Sequence, residues 1–175
     1  MEKPLILVIE DEPKQAEMIA KMINQSGRYE AVIALSAEEG FKELEKHRGG
    51  FLGLGKTKIK CIVLDIKMPE MDGLEFLKKL REQESPMELM PVIMLTAYED
   101  KEKWSKATSP VSGMAVAYLK KPVKEEELIS TIDHCLFGDE LGTMIDKTRK
   151  KKYEKLEQFE EDEKKGKLSE EEVTE

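Results

Sequence analysis

Five side chains capable of chemistry stand at the ends of apolar runs in this sequence. They are Glu10, Asp11, Asp65, Thr96 and Lys121. The runs before them, LILVI, KCIVLD, PVIMLT and AVAYL, are typical of strands in a parallel sheet, where both faces are covered by helices. The carboxyl ends of parallel strands lie along one edge of a sheet, so we expect these five side chains to meet there.

Three carboxylates gathered at one edge require a positive partner, because two unpaired carboxylates about 4 Å apart repel by roughly 4 kcal/mol at an effective dielectric near 20. No histidine or cysteine is among these residues, and an all-oxygen ligand set favours Mg²⁺, which keeps waters and bridges to phosphate oxygens. Lys121 supplies a second positive charge. A carboxylate beside Mg²⁺, a lysine and a hydroxyl is equipped to attack phosphorus and become an acyl phosphate.

The elements that position these residues follow from the hydrophobic pattern. Strands are predicted at 5–9, 29–35, 60–65, 91–96 and 115–119. A helix follows each strand: one from Pro13 to near Gly27, one capped by Ser36, one capped by Asp72, one containing Trp104 and one containing Leu128 and Cys135. This alternation predicts an α/β fold with a doubly wound, five-stranded parallel sheet.

The stretch GFLGLGKT, Gly50 to Thr57, matches the pattern of a phosphate-binding loop. Such a loop must leave a strand and open a helix, whose N-terminal amides hold the phosphates. Here the stretch follows a predicted helix and precedes a predicted strand. We therefore keep a P-loop nucleotide-binding protein only as an alternative, and predict a solvated helix-to-strand connection over 48–60.

Composition limits the classes of function. The chain has 175 residues, 38% of them charged, and a formal net charge of -8, so binding to nucleic acid or to an anionic membrane is not expected. Cys61 and Cys135 stand in apolar patterns and predict buried free thiols in a reducing compartment. The apolar run at 5–9 is too short for a signal or a membrane span, and we expect a cytoplasmic protein.

The composition changes after Gly138, where lysine and glutamate dominate and large apolar residues become rare. We predict a domain over 1–138 and a charged helical tail or linker over 139–175. The basic run from Arg149 to Lys152 has two interpretations, a nucleic-acid contact or a solvated helix face, and the acidic stretch after it favours the second.

Four stretches, VIEDEP, VLDIKMPEMDG, VIMLTAY and YLKKP, resemble the signatures of the receiver domain of bacterial two-component response regulators. They occur in the family's order over about residues 4–137. The resemblance implies the flavodoxin-like strand order 2-1-3-4-5. It also implies that a sensor histidine kinase or phosphotransfer protein is the phosphoryl donor.

The same resemblance assigns roles to single residues. Asp65 would be the phosphoacceptor, with Thr96 and Lys121 binding the phosphoryl group. Mg²⁺ would be held by Glu10, Asp11, Asp65 and the Lys67 backbone carbonyl. Tyr118 and Thr96 would form the switch, and the family's lysine directly precedes proline, which favours Lys121 over Lys120. A cis bond between Lys121 and Pro122 is expected too.

The sequence departs from the family pattern in three places. Glu10 stands where many relatives have aspartate, and the segments at 48–60 and 106–114 are longer than usual. The second segment affects the expected output face around Trp104 and Tyr118, through which a protein partner or a second copy would bind. The leading prediction is a phosphorylation-controlled binding module that acts on no separate metabolite. A phosphatase or NTPase, an unphosphorylated scaffold, and a receiver fragment of a longer regulator are the alternatives.

Overall fold

The protein folds around five parallel strands joined in one sheet of order β2-β1-β3-β4-β5. The structure is a computed structural model that describes residues 2–49, 55–84, 89–97 and 117–138. Its strands are β1 (Leu5–Ile9), β2 (Glu30–Ala34), β3 (Ile59–Asp65), β4 (Val92–Thr96) and β5 (Ala117–Lys120). The predicted α/β fold and strand order are confirmed.

Four helices lie within the described residues: α1 (Pro13–Gln25), α2 (Ala37–Lys46), α3 (Gly73–Gln83) and α4 (Glu125–Phe137). Ser36 and Asp72 cap α2 and α3 as predicted, because their side chains accept hydrogen bonds from the amides of Glu39 and Glu75. The start of α1 has no side-chain cap and relies on Pro13 instead.

The core lies between the sheet and its helices. The central strands β1, β3 and β4 are almost wholly buried, as their continuous apolar sequences require. Phe76 of α3 is fully buried and packs on Phe41 of α2, with 4.3 Å between the ring centroids. At the other side of the sheet, the Tyr29 hydroxyl before β2 donates a hydrogen bond to Asp133 of α4, and Arg28 forms an ion pair with the same carboxylate.

The glycine-rich connection is described at its two ends. Arg48 and Thr57 form an antiparallel bridge, and the Gly49 amide donates to the Lys56 carbonyl. The chain after Thr57 enters β3 rather than a helix. The phosphate-binding alternative is therefore wrong, because the described residues offer no helix N-terminus at this stretch.

Both cysteines are buried and free, as predicted. Cys61 of β3 and Cys135 of α4 are also neighbours: a hydrogen bond with Cys135, together with complete burial, raises the pKa of the Cys61 thiol. The predicted helix with Trp104, the longer segment at 106–114 and the tail at 139–175 lie outside the described residues.

Candidate functional site

A cleft of about 350 Å³ opens at the carboxyl ends of the strands. All five residues that the sequence analysis placed at this edge line it. The complete lining is Glu10, Asp11, Glu12, Gln15, Asp65, Ile66, Lys67, Thr96, Ala97 and Lys121. The predicted convergence of strand-end side chains is thus observed.

Backbone pairing between strands sets the position of each polar side chain. Glu10 follows β1, and its amide donates to the Ala34 carbonyl at 3.1 Å. Asp65 ends β3 and stands opposite Leu95 of β4. Strand pairing therefore fixes the backbone of both acids at the carboxyl ends of β1 and β3.

Lys121 is aimed into the cleft by the end of β5. Its amide donates to the Thr96 carbonyl at 2.7 Å, and its bond to Pro122 is cis, as predicted. Lys120, paired in register with Thr96, is exposed. The structure thus places Lys121 rather than Lys120 at the acids.

The three acids form one compact cluster. Glu10, Asp11 and Asp65 each offer a carboxylate oxygen, and the three oxygens lie within 4.8 Å of one another. Glu10 is 2% exposed and Asp65 is 5% exposed, whereas Asp11 is half-buried at the mouth of the cleft. An all-oxygen cluster of this size suits a hard divalent cation such as Mg²⁺.

The Lys121 ammonium bridges this cluster. Its Nζ lies 2.5 Å from Glu10 Oε2 and 3.0 Å from Asp65 Oδ1. It also donates to Gln15 Oε1 at 3.0 Å. Three acceptors match the three N–H donors of an ammonium group, so this cation is held from three sides.

Burial governs the acid–base behaviour of the cluster. Burial raises the pKa of both Glu10 and Asp65, although Lys121 opposes the change at each, and the charges of the neighbouring carboxylates raise both pKa values further. Burial disfavours the charged form of Lys121, but its hydrogen bonds to Glu10 and Asp65 outweigh that effect and raise its pKa. The lysine therefore keeps its proton at neutral pH, while the two buried carboxylates pay an ionisation penalty.

The loop after β3 is tied back onto the site. The Gly73 amide donates to the Ile66 carbonyl at 2.9 Å, and a Cβ at position 73 would overlap the Asp65 carbonyl oxygen. Only glycine permits this close approach between α3 and the end of β3. Lys67 lies within the loop, exposed and at the cleft wall.

The two proposed switch residues stand at different depths. Thr96 is 7% exposed and lines the cleft at the end of β4. Tyr118 is half-buried on β5, opposite Met94 in register, and packs against the core. Trp104 lies outside the part of the chain that the structure describes.

Sequence reasoning missed Gln15 and Glu12. Gln15 is on the first turn of α1, and its Nε2 donates a hydrogen bond to Glu12 while its Oε1 faces Lys121. The available signal was positional: a helix that opens directly after Glu10 and Asp11 must hold its first turn over the same edge of the sheet.

Comparisons with known proteins agree with this geometry. The family model for the response regulator receiver domain matches residues 6–133. The chain belongs to the response regulator receiver family. It is 32% identical over 127 residues to the positive alginate biosynthesis regulatory protein of Pseudomonas aeruginosa, covering 73% of this chain and 45% of that protein. It is 30% identical over 137 residues to the alkaline phosphatase synthesis transcriptional regulatory protein PhoP of Bacillus subtilis, covering 78% and 50%.

Solved receiver structures are similar as well. The chemotaxis protein CheY4 of Vibrio cholerae matches with a TM-score of 0.64 and 27% identity, covering 77% of this chain and 100% of that one. This receiver chain spans about half the length of the two curated relatives above.

Receiver domains of two-component response regulators bind Mg²⁺ in their acidic site and interact with histidine kinases or phosphotransfer proteins. The cluster of Glu10, Asp11 and Asp65 is the acidic site of this chain that could hold the ion. Among the described residues, no helix has both the length and the apolar character needed to cross a membrane.

Proposed function

We propose that this receiver domain is switched by phosphorylation of Asp65. The observation that carries the proposal is a nearly buried carboxylate that forms a cluster with two other acids, Glu10 and Asp11, and lies 3.0 Å from the Lys121 ammonium. Such an arrangement holds a nucleophile and a cation side by side in one cleft, and positioning with charge neutralisation is most of what phosphoryl transfer requires.

In the proposed reaction, an Asp65 carboxylate oxygen attacks phosphorus. The new O–P bond forms as the bond between phosphorus and the donor's histidine nitrogen breaks. That nitrogen keeps the electron pair and takes up a proton, so the donor leaves as neutral imidazole. Lys121 neutralises charge on the phosphoryl oxygens, and the Thr96 hydroxyl donates a hydrogen bond to one of them.

Glu10, Asp11, Asp65 and the Lys67 carbonyl would hold Mg²⁺ in this site. The bound ion supplies positive charge to the phosphoryl oxygens. The donor set fits, because the three carboxylates present oxygen atoms within 4.8 Å of one another and no softer ligand is among them. Asp11, at the mouth, remains accessible to an ion that keeps several waters.

We propose that the output follows from Thr96 and Tyr118. Movement of the Thr96 hydroxyl toward a phosphoryl oxygen vacates space that the Tyr118 ring then fills. The surface around Tyr118 and Trp104 changes with it, and binds a downstream protein or a second copy with an affinity that depends on phosphorylation.

The receiver domain ends near Gly138, residues 139–175 form a charged tail or linker, and the chain acts on no metabolite other than its phosphoryl donor. The buried free thiols support a cytoplasmic location. A receiver fragment of a longer regulator stays the alternative, since the chain spans about half the length of the two curated relatives named above.

Incubation with acetyl phosphate and Mg²⁺, followed by intact mass measurement, tests the proposal. The wild type should gain one phosphoryl group and Asp65→Asn none. Lys67→Ala, which keeps the backbone carbonyl, should still be modified. A phosphoryl adduct that persists in Asp65→Asn would contradict the assignment of the phosphoacceptor.

A further inference from the structure

The third acceptor of Lys121 is the Gln15 side chain, which takes no part in the proposed phosphoryl transfer. Gln15 Oε1 accepts from Lys121 Nζ at 3.0 Å, across a sequence separation of 106 residues. Gln15 is half-buried on the first turn of α1 and lines the cleft. This contact joins α1 to the end of β5 directly above the acids.

Glu12 orients the Gln15 amide. The Gln15 Nε2 group donates a hydrogen bond to the Glu12 carboxylate, so the amide oxygen is turned toward Lys121. Reversal of the amide would point its two N–H donors at an ammonium group and its oxygen at the Glu12 carboxylate. The pair therefore presents an acceptor, with one orientation, to the lysine.

Gln15 differs from the other two acceptors of Lys121. Glu10 belongs to the acid cluster that could hold a cation, and Asp65 is the proposed nucleophile. During the reaction Glu10 would therefore also contact the cation, and Asp65 would also bond to phosphorus. Gln15 is neutral and lies outside the cluster, so it can keep its hydrogen bond while Lys121 passes from Asp65 to a phosphoryl oxygen.

We propose that Gln15 is a positioning residue for Lys121, held in orientation by Glu12. It anchors the ammonium group within the cleft while the carboxylates exchange partners. This inference rests on the proposed phosphorylation of Asp65 for its kinetic consequence, but the anchoring itself is a property of the unphosphorylated, metal-free protein.

Three substitutions separate anchoring from packing. Gln15→Met keeps the length of the side chain and removes the acceptor, whereas Gln15→Glu keeps an acceptor. Gln25→Met makes the same chemical change at the exposed far end of α1. Phosphorylation by acetyl phosphate is followed at saturating Mg²⁺ over a range of donor concentrations.

Gln15→Met should lower the maximal rate by about fivefold to tenfold, as loss of one hydrogen bond of ordinary strength in a cleft open to water implies, and leave the half-saturating donor concentration nearly unchanged. Gln15→Glu should lose less of the rate than Gln15→Met, because its carboxylate still accepts from Lys121 although it repels Glu12, and Gln25→Met should not differ from the wild type. An unchanged rate in Gln15→Met, or an equal loss in Gln15→Met and Gln15→Glu, would overturn the proposal.

A spectroscopic measurement distinguishes this failure from failure of the phosphorylation itself. In metal-free protein, the ¹⁵N-bound ammonium protons of Lys121 should be protected from exchange with water in the wild type and in Gln15→Glu, and lose most of that protection in Gln15→Met. Equal protection in all three proteins refutes the anchoring, whether or not Asp65 is phosphorylated.

Glu12 provides the last arm of the test. Glu12→Ala should reduce both the rate and the protection less than Gln15→Met does, and should cause no further loss when combined with Gln15→Met. Additive losses would show that Glu12 acts independently of the Gln15 amide and would remove it from the proposal.

Discussion

Two clefts lie at opposite ends of the sheet, and they differ in the charged groups that line them. The cleft at the carboxyl ends of the strands contains Glu10 and Asp65, both almost fully buried, and Lys121 bridges them. The second cleft, of about 520 Å³, lies before β3 and β4, between the ends of α2 and α3. Its apolar lining includes Phe41, Leu44, Ile59, Leu80 and Met90.

The second cleft has a largely buried ion pair, between Arg81 and Glu84 at 2.5 Å, whose side chains are 10% and 12% exposed, and an exposed pair. The ion pair between Arg48 and Glu45 spans 3.4 Å, and the two side chains are 41% and 69% exposed. Surface pairs of this kind contribute little to stability. The residues that resemble a phosphate-binding loop, Gly55 to Thr57, line this cleft. A sequence pattern thus points to one end of the sheet, whereas the cluster of three acids points to the other, and the family membership agrees with the acid cluster.

Addition of Mg²⁺ should separate the two clefts most strongly. Ion binding relieves the repulsion among the acids, and at a hundred times the dissociation constant it should stabilise the folded state by about 2.7 kcal/mol. Thermal melting at increasing Mg²⁺ measures the effect. Asp11→Asn should lose most of it, and Glu45→Gln, at the second cleft, should keep it. A response that is the same in Asp11→Asn and the wild type would place the ion elsewhere.

Removal of the bridging cation should have the next largest effect. Lys121→Met leaves Glu10 and Asp65 without their cation and should lower the free energy of unfolding by about 2 kcal/mol in metal-free buffer, less than in a fully buried pair because the cleft opens to water. Urea unfolding at neutral pH provides the measurement. Lys60→Met, at the second cleft, is the matched control and should change stability by less than about 0.5 kcal/mol. Equal losses of stability in the two variants would contradict the prediction that Lys121 stabilises the fold through the acid cluster.

Neutralising Asp65 should instead stabilise the metal-free protein. Folding raises the pKa of the Asp65 carboxyl above its ordinary value of 3.8. Such a group makes the folded state less stable as the pH rises from the ordinary pKa through the raised pKa. Asp65→Asn removes this penalty and should add about 1 kcal/mol at pH 7, within the usual range for one substitution. Below pH 3.8 the wild type is protonated as well, and this advantage should vanish. A gain that is independent of pH would mean that ionisation of Asp65 is not its cause.

The smallest effect is expected at the second cleft. A double-mutant cycle on Arg48→Met and Glu45→Gln should give a coupling of less than about 0.5 kcal/mol, and that coupling should fall with added salt. Urea unfolding of the four proteins at two salt concentrations measures it. A coupling as large as the effect of Lys121→Met would show that the Arg48–Glu45 pair stabilises the fold as much as the Lys121 ion pairs do.

The edge that carries the site could be predicted because its residues occupy strand ends. Each apolar run ends in a polar residue, and parallel pairing brings those ends together whatever the helices do. Thr96 and Asp65 were placed in this way. The choice of Lys121 over Lys120 needed the family resemblance, because one residue of register decides which amine enters the cleft.

What the sequence did not reveal depends on packing between distant elements. Gln15 reads as an ordinary residue of an amphipathic helix until β5 brings Lys121 beside it. Cys61 and Cys135 become neighbours only when α4 packs on the sheet. The antiparallel bridge between Arg48 and Thr57 was likewise hidden, since neither residue stands in an alternating pattern typical of a strand.

The close approach at Gly73 makes the loop after Asp65 a closed ring. The chain leaves the sheet at Asp65 and returns to the Ile66 carbonyl through the Gly73 amide. A short loop with joined ends has few conformations available, so much of its entropy is lost before any ion or phosphoryl group arrives. The backbone of Lys67, including its carbonyl, lies within this loop and is restricted in the same way. Replacement of Gly73 by any larger residue would therefore loosen Lys67 from a distance of six positions along the chain.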